Sequence, residues 1–82
     1  MSPEPSKQQA VHAAGEVYAE KNGSEGATAQ EIATKLKADR AATEKAIQEA
    51  HDEGWIERDS RYPVFFVVTV EGQTIIDSAL FN

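Results

Sequence analysis

The sequence has no cysteine, which excludes disulfides, thiolate metal sites and a cysteine nucleophile. It has two leucines, Leu36 and Leu80, and a single tryptophan. No apolar run approaches the roughly 20 residues that a membrane-spanning helix requires, so no membrane partner is expected. Basic residues are scarce: 8 Lys+Arg stand against 14 Asp+Glu, for a formal net charge of -6. That balance disfavours indiscriminate binding to nucleic acid or to an anionic membrane. Met1-Ser2-Pro3-Glu4-Pro5 lacks a basic stretch followed by an apolar one, so no secretion signal is read and the cytoplasm is the expected location.

What is present is a chain of 82 residues, suited to one small domain, with 40% apolar residues. Thirteen of those apolar residues are Ala, which bury little area, so the core is expected to be thin and built on Ile, Val and Phe. Oligomerisation is a natural supplement to such a core.

Residues 1–5 hold two of the three prolines and are expected to form a flexible leader, leaving residues 6–82 as the domain. Ser6 is placed to cap a first helix reaching about Lys21. Its apolar face is Ala10, Val11, Ala14, Val17 and Tyr18, and Gly15 suggests a close approach to a neighbouring helix. After the turn-forming stretch 22–26, Thr28 and Glu31 make a capping box for a short second helix ending near Lys37-Ala38. Asp39 caps a third helix, about Arg40 to Glu53, closed by Gly54 and burying Thr43, Ala46, Ile47 and Ala50. From Trp55 the period changes. Trp55–Arg58 and Val64–Val70 read as a β-hairpin around the polar turn 59–63, and Thr69 caps a last helix to about Phe81.

Little points to catalysis. His12 and His51 lie on different helices with no metal-ligand spacing, and no pair of the plentiful carboxylates is flanked by an apolar pocket signature that would split their pKa values. There is no glycine-rich phosphate loop. No enzyme activity, metal or cofactor is expected.

Three helices, a short turn between the second and third, and then a hairpin resemble a winged helix-turn-helix, an α+β fold. Ala27 to Leu36 looks like the first helix of the helix-turn-helix unit. Arg40 to Ile56, with Thr43, Ile47, Ala50 and Gly54-Trp55-Ile56, resembles a recognition helix leading into a wing. Val68-Thr69-Val70-Glu71-Gly72 is similar to the segment leaving the wing in MarR-like and PadR-like transcriptional regulators. The family often has Gly where Lys37-Ala38 stands, and Val where Thr43 stands.

The resemblance implies a small transcriptional regulator that binds duplex DNA. The third helix would lie in the major groove, with the 58–63 wing on the flanking backbone or minor groove. It places Arg40, Ala41, Ala42, Glu44, Lys45 and Gln48 at the groove. Thr34, Lys35 and Lys37 would lie near phosphates, and Arg58 and Arg61 flank the wing tip. Six of the eight basic residues fall between positions 35 and 61, so the acidic chain concentrates its cations in these reading elements. In MarR-like proteins the terminal helices form a two-fold dimer, which implies a homodimer through Val11, Val17, Tyr18, Ile75, Ile76, Leu80 and Phe81. The alternative is a protein-interaction module whose acidic surface docks a basic protein partner or mimics DNA.

Overall fold

A computed structural model describes residues 4–80 of the chain, with side chains through residue 78. Of the expected leader, residues 1–3 lie outside this range, as do Phe81 and Asn82 at the other end. The architecture is α+β: four helices and a small three-stranded antiparallel sheet.

Local chemistry sets the helix boundaries. Helix α1, Lys7–Glu20, starts at Ser6, whose hydroxyl accepts from the Gln9 amide while the Gln9 side chain accepts from the Ser6 amide. Helix α2, Ala29–Leu36, has the expected reciprocal box between Thr28 and Glu31. It ends at Lys37, which takes the left-handed conformation with φ 55°, the position where a glycine is easiest to place. Helix α3, Arg40–Asp52, is capped by Asp39 and followed by Gly54 at φ 80°. Thr69 both accepts from the Gly72 amide and donates to the Gly54 carbonyl, fixing the start of α4, Val70–Leu80.

The sheet has one more strand than expected. Strand β1 is only Ala27–Thr28, and it pairs with β3, Phe65–Val68, which pairs in turn with β2, Ile56–Arg58. The last strand is shorter than the expected Val64–Val70: Val64 lies in the hairpin turn, Thr69 is given over to capping, and Val70 is already helical. Likewise Trp55 precedes β2, its carbonyl accepting from the Thr69 amide.

The core is thin, as the composition implies. Among the described residues, eight of the fourteen buried apolar side chains are alanine, and Val11, Val17, Ile32, Ile47, Ile56 and Phe66 supply the bulk. Helix α1 touches α2, α3, α4 and β3, so its apolar face fills the middle of the molecule. This corrects the assignment of Val11 and Val17 to a dimer interface. They are 0% and 5% exposed within a single chain, because α1 is the central helix rather than a peripheral one. Tyr18 is exposed, and Ile75 and Ile76 are half-buried on α4. Leu80's side chain and Phe81 lie outside the described residues.

Small residues allow the close packing. Gly15 faces Ile76, whose Cδ1 would lie 2.8 Å from an added Cβ, the interhelical approach its position suggests. Gly72 seats α4 against the Trp55 carbonyl, where an added Cβ would collide with backbone.

Candidate functional site

The face of α3 opposite its buried residues is open to solvent. Thr43, Ala46, Ile47 and Ala50 turn inward as the periodicity predicts, which leaves Arg40, Ala41, Glu44, Lys45 and Gln48 exposed and Ala42 half-buried. Antiparallel pairing of β2 with β3 then brings the hairpin alongside this helix. Between them and the first turn of α2 lies an open cleft of about 460 Å³, lined by Thr28, Ala29, Gln30, Arg40, Glu44, Ile47, Arg58, Val64 and Phe66. Its floor is apolar, and its walls carry two arginines, a glutamate and a glutamine.

Both arginines are held in place. Arg40 Nε donates to Glu44 Oε1 at 3.0 Å, one helical turn away, and its Nη1 reaches Gln30 Oε1 on α2 at 3.4 Å. Arg58 Nη1 donates to the Pro63 carbonyl at 2.9 Å, and its guanidinium lies over the Phe66 ring, 4.9 Å from the centroid. The hairpin turn is itself fixed by Asp59, whose Oδ1 accepts from the Arg61 and Tyr62 amides.

The other predicted residues separate. Arg61 lies on the opposite side of the hairpin, in a hollow with Ser24, Glu25, Asp59, Tyr62 and Phe65. Thr34, Lys35 and Lys37 line a groove between α1 and α2 with Val17, Glu20, Gln30 and Glu31. There Lys35 is paired with Glu20 and lies 3.9 Å from Glu16, so its ammonium is directed at α1. Its pKa is raised, first by the hydrogen bond to Glu20 and against a smaller effect of burial. On α3, Lys45 lies 3.9 Å from Glu4, and Gln48 donates to Asp52. Among the described residues, Lys37, Arg58 and Arg61 are the cations with no ion pair.

Gln30 is the site residue that sequence reasoning missed. It borders both the cleft and the groove, accepting from Arg40 and donating to Thr34 Oγ1 at 3.3 Å. Its i,i+4 spacing to Thr34 is visible in the sequence, but its reach to Arg40 depends on the angle between α2 and α3. Val64 and Phe66, read as strand residues, also line the cleft.

A second charged cluster anchors the start of α2. Lys21 Nζ donates to Glu31 at 2.7 Å and to the Gly26 carbonyl at 2.9 Å, lies 3.1 Å from Glu25, and sits over the Phe65 ring. Burial works to raise the Glu31 pKa, but the Lys21 ammonium and the Thr28 backbone amide outweigh it and hold the carboxyl below its ordinary value. Burial likewise opposes the Lys21 charge, and hydrogen bonds to Glu31 and Glu25 outweigh it, so its pKa is raised.

Among the described residues no group of three or more His, Asp or Glu side chains is gathered to hold a metal ion, and no helix is long and apolar enough to cross a membrane. No family model, curated protein or solved structure matches this chain.

Proposed function

We propose that the chain is a winged helix-turn-helix domain that binds duplex DNA and regulates transcription. Helix α3 enters the major groove, and the hairpin rests on the flanking backbone or minor groove. The observation that carries this reading is the cleft shared by Arg40 and Arg58. Two cations 18 positions apart in the chain border one concave surface beside an otherwise exposed helix face. Ala41 and Ala42 keep that face low at the start of the helix, which favours a close approach of its backbone to the duplex. A homodimer through Tyr18 and α4, where Val70 is 82% exposed, would present two such helices to successive grooves.

The test is binding to random duplex DNA as salt is varied. Micromolar protein near 50 mM salt should bind, and affinity should fall steeply on raising the salt. Absence of binding under those conditions contradicts the reading.

A second reading has its own observation. Five of the eight cations, including Arg40 and Lys45, are paired with carboxylates of the same chain. A domain with its positive charge so compensated suits a protein-docking role in which acidic residues such as Glu49 and Asp52 meet a basic partner. Charge reversal at those two positions would then break a complex that Arg40→Ala leaves intact.

A further inference from the structure

The Arg40–Glu44 pair sits on the helix face that, on the reading above, enters the major groove between two rows of negative phosphates. A carboxylate at that place opposes phosphate contact, while the arginine beside it favours the same contact. The two lie one turn apart and are joined at 3.0 Å, and Gln30 on the neighbouring helix supplies a second anchor at 3.4 Å. A guanidinium carries five N–H donors, of which these anchors engage two. The remaining three belong to the two terminal nitrogens, the end of the group that makes a bidentate contact with a guanine edge. Arg40 is therefore restrained in direction, and its charge is locally compensated, without losing the donors that base reading uses.

We infer that Glu44 is a specificity-determining residue: it positions Arg40 toward a base edge and suppresses its use as a general phosphate anchor. The inference rests on the duplex-binding reading and adds a role that reading does not contain. Glu44 lowers affinity for arbitrary DNA while raising the ratio of specific to non-specific binding, and it acts through Arg40.

The experiment compares wild-type protein with E44Q, E44A, R40A and the double variant R40A/E44A on random duplex and on a site selected from a random library. Glu44 is an exposed helix residue, so all four variants should fold, which circular dichroism checks. E44A and E44Q should bind random duplex about fivefold more tightly than wild type, because one phosphate-repelling charge is gone. The ratio of selected-site to random affinity should fall about tenfold in E44A and less in E44Q, whose amide oxygen can still accept from Arg40 Nε. In the R40A background, E44A should no longer change that ratio. An unchanged ratio in E44A, or an equal change with and without Arg40, overturns the inference. So does a loss in E44A confined to sites with one particular cytosine, since Glu44 would then be reading the base itself. In the free protein, the Arg40 Nε–H resonance should exchange slowly with water in wild type and rapidly in E44A; rapid exchange in wild type also overturns it. If wild-type protein binds no duplex at 50 mM salt, the duplex-binding reading fails and takes the inference with it, an outcome distinct from those in which wild type binds.

Discussion

Lys21 and Arg40 each meet a glutamate on a helix, yet the two settings use charge differently. At the α1–α2 junction, Lys21 is 18% exposed and bonds to a carboxylate and a backbone carbonyl, with an aromatic ring below it. At the cleft, Arg40 and Glu44 are each more than half exposed, and solvent screens their attraction. The first arrangement ties the end of α1 to the start of α2 and sets where α2 sits. The second contributes little to stability, because an exposed i,i+4 pair stabilises by only about 0.3–0.5 kcal/mol. Exposure, more than residue type, separates a charge that builds the fold from one available to a partner.

The widest contrast is obtained by removing what seats α2. Ile32 is fully buried, and Ile32→Ala should lower stability by about 2–5 kcal/mol in a chemical denaturation curve. Next is the cleft. Arg40→Ala with Arg58→Ala should reduce duplex affinity at least about tenfold while lowering the thermal midpoint only slightly, since Arg40 is exposed and Arg58 meets the core only through the Phe66 ring. Lys21→Met should do the reverse, lowering stability by about 1 kcal/mol with affinity retained. If Lys21→Met weakens binding more than the double arginine change, the division between the two regions is wrong.

The junction also predicts an acid response. Because the folded Glu31 carboxyl titrates below its ordinary value of 4.5, its contribution is complete above that pH and is lost as pH falls through the folded pKa. Glu31→Gln should therefore flatten the decline of stability below about pH 4.5, as followed by melting temperature. A change of opposite sign is expected at Thr43, whose buried hydroxyl has no hydrogen-bond partner among the described residues. Thr43→Val should stabilise the domain by about 1 kcal/mol and leave duplex binding untouched.

Caps and periodicity made the helices legible. Ser6, Thr28 with Glu31, Asp39 and Thr69 each satisfy backbone donors within three or four residues, so their signal is local and survives in the bare sequence. Strand β1 was not legible, because two residues form a strand only when Phe65 and Phe66 arrive from nearly forty positions away. The same limit governs Val11 and Val17. Their spacing identifies an apolar face, but only the packing of the other helices shows that the chain itself covers it. At the candidate site, the exposed face of α3 followed from its period. The convergence of Arg40 and Arg58 and the diversion of Lys35 toward α1 depend on how the elements meet.

The division between the two regions is tested most directly by titrating the labelled protein with a short duplex at low salt and following backbone amide shifts. Changes should concentrate at Arg40, Ala41, Glu44, Lys45 and Arg58, with Lys21 and Glu31 unmoved. Shifts centred on Lys21 and Glu31, or no shifts at all, would contradict the assignment of the α3–hairpin cleft as the DNA-binding face.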